Sequence, residues 1–597
     1  MMQDREKNIA DPGAAVTGDL LPQLLTAWRA LWRSPVRAQL IWLSLSIMLV
    51  ILATAYGQIR LNNWNRPFYD ALSNRDFDEF LAQLGNFGFI AGGLLVLNVV
   101  QRWQAEMLKL KLRDGLVHDL VHEWLAPGRA FQLANAGPIG VNPDQRMHED
   151  ARHLTELSVD LGVGLLQASI LLVTFVGVLW KVSSAFSFRW REHVVFIPGY
   201  MVWAAIVYAA SASLLSYWVG KNLVDRNAER YAREADLRFS MVRVNEHVDV
   251  IALAAGEAEE ERRIELDFTR VLAAMRRLVS GITSLTWVTA GYGWFTLVAP
   301  IIAAAPIYFS GALSFGGLMM AAGAFSQVQS SLRWFVDNFS AIADWRATLL
   351  RVTDFRRAVL TTDESQRVRG QIAYVDGEPG RIQIERLEIA SPSGCIMLEE
   401  QSVEIRAGER VLIVGGPGPG RELLIRALAG LWPYGAGRIV RPRDESFMYV
   451  PRTPYLPPGT LREALAYPKK VGDFEPAAFA AALARLNLER LTPRLDESKR
   501  WDRETTDDGQ KRLMFARVLL HQPRWVLIDE VLEALDTETR SLVRRLATED
   551  LARSGIIHIG HAESPPDGYS QVLHLVSDPT LRRLPRLTIA TTEPAGG

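Results

Sequence analysis

The sequence predicts a membrane α-helical domain of six spanning helices, followed by an α/β domain of strand–loop–helix units. Three observations carry this. Apolar runs free of Asp, Glu, Lys and Arg recur through the first half of the chain, near the ~20 residues that a bilayer requires. Long, charged, helix-periodic intervals separate some of them. After Val352 the composition turns polar and rich in Gly and Pro, and short β-like runs alternate with helical patterns.

Taken in order, the segment from Met1 to Val36 mixes acids, bases and prolines before any long apolar run, so it does not read as a secretory signal. Within it, Leu24–Trp32 is amphipathic and suited to lie along a membrane surface. The first span falls near Leu40–Tyr56, the second near Phe87–Val100, the third at Leu161–Trp180 and the fourth at Val194–Val219. Val279–Phe325 is too long for one span, and Pro306 and Ser310-Gly311 split it into a fifth and a sixth with a tight outer turn. The charged intervals Lys109–Asp160 and Lys221–Arg277 read as spanning helices carried on into water, since structureless loops of roughly 20 residues are already unusual. Arg29, Arg33 and Arg37 precede the first span, so the positive-inside rule puts both long intervals in the cytosol. The expected organisation is a tail with an amphipathic elbow helix (1–36), a membrane domain (37–360) and an α/β domain (365–590).

Composition narrows the function classes. A chain of 597 residues has room for several domains, and 49 % hydrophobic content is high for a soluble protein. A net charge of -1 argues against a nucleic-acid surface, which needs a basic excess. The single cysteine, Cys395, excludes an internal disulfide and reads as a buried thiol.

In the α/β domain, the run Val411–Gly415, then Gly420 and a helical stretch Leu423–Leu431, occupies the position of a phosphate-binding loop. A working loop reads G-x-x-x-x-G-K-[ST]: backbone N–H groups wrap the phosphates, the lysine reaches the outer ones and the hydroxyl binds magnesium. Gly415, Gly418 and Gly420 supply the glycines, but Arg421 stands for the lysine and Glu422 for the hydroxyl. Pro417 and Pro419 have no N–H to donate. Together these changes argue against ordinary tight Mg-ATP binding.

The surrounding segments, Arg421–Tyr434, Pro454–Pro468 and Phe515–Asp536, closely resemble the nucleotide domains of one group of ABC transporters, containing the peroxisomal fatty-acyl transporters (subfamily D) and the bacterial SbmA/BacA/YddA-like transporters. The resemblance makes Asp529 the magnesium ligand, Glu530 the catalytic base and His561 the switch histidine that senses the γ-phosphate; the alternative is that Asp529 and Glu530 cap a strand and His561 is an ordinary edge histidine. Two further elements depart from the group's pattern. Arg452 follows Pro451 where the group has glutamine, and in the signature segment Thr505–Gln510 only Thr506 offers a hydroxyl while Asp508 replaces a glycine that faces the partner's γ-phosphate. ABC sites are composite, so a homodimer of this chain would build two sites that are each damaged.

The membrane half carries the resemblance too. Leu61-Asn62-x-Trp64 with Phe68–Leu72, the motif Asn142, Pro143, Asp144, Gln145, Arg146 with Glu149-Asp150, and Glu234, Asp236 and Arg238 match the group's elements at corresponding places. Asn142 and Pro143 read as a helix break and restart. The 142–146 motif is either a structural turn or a coupling element against the nucleotide domain, and Glu234, Asp236 and Arg238 are spaced for a salt network on one helix.

By this resemblance the chain is an exporter-type ABC half-transporter, a homodimer in a bacterial inner membrane. It would move an amphipathic or bulky solute such as a peptide, a cobalamin-like compound or an acyl compound, with ATP and Mg2+ as the family's cofactors. Trp203, Trp287, Trp294 and Trp334 are candidates for lining an amphipathic cavity or for interface and packing roles. Two alternatives stay open. One is proton-driven transport with the nucleotide domain as scaffold, its titratable candidates the peripheral Asp70, Asp76, Asp78, Glu79, Glu192, His193, Glu234 and Asp236. The other is a regulatory subunit without transport of its own.

Overall fold

The computed structural model describes residues 36–134, 143–184, 187–190, 193–365, 371–391, 394–416, 420–560 and 568–578. The amphipathic stretch at 24–32, Asn142, Gly418 and His561 lie outside them. The chain divides into two compact units: Met1–Trp124 with Asn142–Arg357, and Leu125–Val141 with Ala358–Gly597.

In the first unit, Arg37–Asn74, Phe77–Trp124, Pro143–Ser183, Tyr200–Gly220 and Glu257–Phe309 are helices long and apolar enough to cross a bilayer. A sixth helix, Phe315–Asp337, carries Gln327, Gln329, Ser330 and Ser331 in its second half, so its composition alone is less membrane-like. It is nevertheless central to the packing. Leu318, Ala321, Ala324, Phe325 and Val328 are buried against Ala55, Phe175, Met201 and Ile307 of the first, third, fourth and fifth helices. A helix surrounded by protein tolerates polar groups that lipid would not. The outward faces are apolar, with Trp42, Leu49, Phe89, Leu95 and Trp287 exposed, as lipid-facing positions should be.

Two boundaries differ from the sequence reading. The helix of the fourth span begins at Tyr200, not Val194, because His193–Phe196 (β2) pairs antiparallel with Ser187–Trp190 (β1) as a hairpin. The β-branched and aromatic run that resembles a span start is equally a good strand. Pro306 does not end the fifth span; with Pro300 it lies inside the helix, which runs to Phe309 and stops at the turn holding Gly311 (φ 79°). Apart from turns at 125–128, 221–222, 247 and 254–256, the described residues of the long charged intervals are helical, as expected. Phe77–Trp124 has 48 residues and Glu257–Phe309 has 53, and at ~1.5 Å per residue both far exceed a ~30 Å hydrocarbon core.

Motif residues of the first unit tie its helices together. Trp64 donates its indole N–H to the Gln83 carbonyl (2.7 Å) and stacks on Phe68. Asp70 accepts from Ser314 Oγ (2.9 Å) and the Gly316 N–H (2.8 Å), fixing the start of the sixth helix onto the first. Only glycine fits at 316, because a Cβ would sit 2.0 Å from the Arg66 carbonyl oxygen.

In the second unit, strands Ala373–Asp376 (β3), Arg381–Ser391 (β4), Gly394–Leu398 (β5), Ser402–Arg406 (β6), Arg410–Gly415 (β7), Gly435–Arg441 (β8) and Phe447–Val450 (β9) come first. A two-residue pair, Gly459–Thr460 (β10) and Ser498–Lys499 (β11), is separate. Trp525–Asp529 (β12), Gly555–Gly560 (β13) and Gln571–Asp578 (β14) complete a mixed sheet of order β3-β8-β4-β5-β14-β7-β13-β12-β9, with β6 on β4. The strands β14, β7, β13, β12 and β9 run parallel, so the carboxyl ends of β7, β12 and β9 share one edge, where ligands bind in open α/β sheets. Cys395 is buried in β5, as expected of a small apolar residue, and burial pushes its thiol pKa up.

Candidate nucleotide site

At this sheet edge, β7 ends at Gly415 and the helix Gly420–Leu428 begins at the far side of the loop. Arg421 is buried and commits its guanidinium internally: Nη1 pairs with Glu530 Oε1, and Nη2 donates to the Gly415 carbonyl. Arg452, just beyond β9, places Nη1 3.8 Å from the other oxygen of Glu530. Arg421 and Arg452, which sequence reading marks as departures from the family pattern, therefore converge on one carboxylate, that of Glu530. Glu530 itself holds φ 48°, a left-handed conformation uncommon outside glycine, with its N–H bonded to the Ile559 carbonyl at 2.9 Å.

Glu422 and Asp529, the positions that the resemblance assigns to magnesium binding, are also engaged. Glu422 pairs with Arg426, one turn along the helix, and Arg426 stacks over the Phe131 ring at 5.1 Å. Phe131 belongs to the short helix Arg129–Ala134, which is part of the second unit. Asp529 accepts from the Tyr449 hydroxyl at 2.9 Å, a contact the parallel pairing of β9 with β12 brings about. Burial raises the pKa of both Asp529 and Tyr449. Among the described residues no three His, Cys, Asp or Glu side chains converge as a metal-ligand group. With the usual hydroxyl ligand replaced, and Arg421 and Arg452 both at the base carboxylate, the residues present do not fit the family's magnesium ion. The phosphates of a nucleotide fit better, since guanidinium groups are good phosphate ligands.

In the signature segment, Thr506 caps the helix Asp507–His521 by accepting from the Gly509 N–H (3.2 Å). Asp508 is held by Arg512 Nε at 2.6 Å and by the Thr539 hydroxyl at 3.4 Å, so its charge is matched within the chain. Elsewhere in the unit, Arg517 of the Phe515–Asp536 motif donates twice to the Ala464 carbonyl of the Pro454–Pro468 motif (2.9 and 2.5 Å). His558, which sequence reasoning passed over, is buried with Nδ1 2.7 Å from the Tyr569 hydroxyl.

The candidate coupling residues fall in the first unit. Arg146–Asp150 is a π-helical turn preceding the third span. Buried Asp150 accepts from Arg146 Nη1 (2.6 Å) and from Arg351 Nη2 (3.1 Å) of the helix Phe339–Ser365. Asp144 and Gln145 are exposed just before that turn, in the three-residue helix that Pro143 begins. Glu234 and Asp236 make local pairs with Arg230 (3.7 Å) and Arg233 (3.2 Å), and Arg238 is exposed on the same helix. Trp203, Trp287 and Trp294 are exposed on the bundle, while Trp334 packs against Gly164.

A helical membrane unit and an α/β unit of the ABC type on one polypeptide define a fused ABC transporter chain. The chain belongs to the ABC transporters: the model of the ABC transporter transmembrane region 2 matches residues 31–309 and that of the ABC transporter domain matches 398–533. It is homologous to the inner membrane ABC transporter ATP-binding protein YddA of Escherichia coli, at 26% identity over 91% of this chain and 95% of that one. It is also 25% identical to ABC transporter D family member 2, chloroplastic, of Arabidopsis thaliana (95% and 89% covered) and to the human lysosomal cobalamin transporter ABCD4 (85% and 87%). Its fold is that of a bacterial Atm1-family ABC exporter solved with ATP bound, at TM-score 0.68 and 17% identity over 91% of this chain and 94% of that chain. ATP and Mg2+ serve as cofactors in this family.

Proposed function

We propose that the chain is a half-transporter that pairs with a second copy of itself and moves an amphipathic or bulky solute across a bacterial inner membrane. A peptide, a cobalamin-like compound or an acyl compound is the expected cargo, and the nucleotide unit faces the cytosol. The observation that carries this reading is the match to fused ABC chains over about nine-tenths of both partners, among them a protein named as a cobalamin transporter and one named as an inner membrane transporter. Arg146, Asp150 and Arg351 support a coupling role for the 142–146 motif, because they link the first charged extension to the helix that leads on into the nucleotide unit.

Ordinary Mg-dependent hydrolysis at this chain's own motifs is what the site geometry speaks against, with both oxygens of Glu530 facing arginines. The proton-driven alternative loses one of its titratable candidates, since Asp70 is committed to capping the sixth helix. Reconstitution in proteoliposomes tests the proposal: the purified chain should move cobalamin or an amphipathic peptide faster than empty vesicles do. No movement under either ATP or a pH gradient, with co-purification of an intact ABC half, would assign it a regulatory role instead.

A further inference from the structure

The replacements at 421 and 452 are not independent losses. They come from different elements, one at a helix start and one beyond an edge strand, yet both arginines address the same carboxylate. Arg421 is hydrogen-bonded to one carboxylate oxygen of Glu530 and Arg452 stands 3.8 Å from the other, so the carboxylate is held between two guanidiniums and is not free to act as a simple base toward water. The same two guanidiniums are the strongest phosphate ligands at this sheet edge, because a planar fork of N–H donors matches phosphate oxygens as well as it matches a carboxylate. Arg421 also lies at the start of a helix, where the dipole adds to the attraction for an anion. On the metal side, the Glu422 carboxylate is spent on Arg426 and the Asp529 carboxylate on the Tyr449 hydroxyl.

We propose that this sheet edge binds a nucleoside polyphosphate without a divalent cation, Arg421 and Arg452 serving as its cationic ligands, and that Glu530 is the internal anion the phosphates displace. Glu530 then gates binding and does not activate water. The displacement is an exchange of partners: two guanidiniums leave one carboxylate of single charge for phosphates of higher charge. The charge compensation that magnesium supplies in a working phosphate-binding loop comes here from the protein. The inference rests on the nucleotide-domain reading above and is independent of which solute is carried.

The test is a fluorescence titration of trinitrophenyl-ATP onto the full chain in lipid nanodiscs, in EDTA and in millimolar magnesium. The wild type is expected to bind in EDTA with a Kd within about threefold of its value in magnesium. Glu530→Gln removes the competing charge and should tighten binding in EDTA by about tenfold, the scale of one charge pair. Arg452→Gln, at an exposed side chain that the fold does not depend on, should weaken the binding of Glu530→Gln by about threefold or more. Binding that requires magnesium would overturn the proposal. So would a Glu530→Gln protein that binds in EDTA no better than wild type, or absence of binding to both proteins. Loss of metal-free binding with solute transport intact removes this inference alone, whereas metal-free binding with no transport removes only the transporter reading.

Discussion

Replacing Asp150 by asparagine should loosen the membrane unit by a calculable amount. The Asp150 side chain is 8% exposed and is the shared partner of Arg146 at 2.6 Å and Arg351 at 3.1 Å. Removing one partner from a buried ion pair costs about 3–5 kcal/mol, because the remaining charge is left without compensation. Here the two arginines keep 31% and 38% of their side-chain surface in solvent and can turn outward, which reduces the cost to about 2 kcal/mol. Domains of 150–250 residues lose roughly 2–4 °C of Tm per kcal/mol and larger ones less, so a fall of about 3–5 °C is expected. Intrinsic tryptophan fluorescence of the full chain in detergent measures it. A double-mutant cycle with Arg351→Met separates the pair from the individual residues, and a coupling of about 1 kcal/mol or more is expected. An Asp150→Asn melt within 1 °C of wild type, or strictly additive effects of the two changes, would refute the reasoning.

Gly316→Ala would force a methyl group into the Arg66 carbonyl, 2.0 Å from its oxygen, and should cost about 2–3 kcal/mol, read as a lower melting midpoint or loss of the folded protein from detergent extracts. Arg517→Met leaves the Ala464 carbonyl without both of its donors and should destabilise the nucleotide unit by about 2 kcal/mol in a chemical-denaturation series followed by limited proteolysis. Burial lowers the pKa of His521 from 6.5, so the folded state resists the proton that the unfolded chain accepts. Its stabilising contribution is present above pH 6.5 and is lost as pH falls from there through the lowered folded value. Thermal scans between pH 7.5 and 5 should show a shallower acid loss for His521→Leu than for wild type.

The architecture is readable in the chain because the bilayer and the parallel sheet each impose a strong pattern. Charge-free spans mark five of the membrane helices, and the β-like runs at 382–384, 411–414 and 525–528 lie inside observed strands. The sixth helix was visible as the end of the apolar run Val279–Phe325 beyond Ser310-Gly311, although it runs on to Asp337 through glutamines and serines that lower its apolar character. What stayed hidden depends on tertiary pairing. Val194–Phe196 suits a strand and a span start equally, and only pairing with Ser187–Trp190 decides between them. Arg421 and Arg452 were each recognisable as departures from a motif, but nothing in linear spacing says that both reach Glu530. Tyr449 could have been found from its place on the short run before Arg452, since an edge strand there stands beside the Asp529 strand. Asp70 looks like a titratable membrane-edge group in sequence, and its role as a helix cap emerges only when Ser314 and Gly316 are brought to it.

The central claim is that Arg421 and Arg452 take Glu530 out of ordinary Mg-ATP chemistry. Steady-state Mg-ATPase of the wild-type chain in proteoliposomes, beside Glu530→Gln and the triple replacement Arg421→Lys/Glu422→Ser/Arg452→Gln, tests it most directly. Wild-type turnover should be indistinguishable from that of Glu530→Gln, with any activity confined to the triple replacement. Wild-type turnover of about 1 s⁻¹ or more, within the usual enzyme range, that Glu530→Gln abolishes would contradict it and return Glu530 to the role of catalytic base.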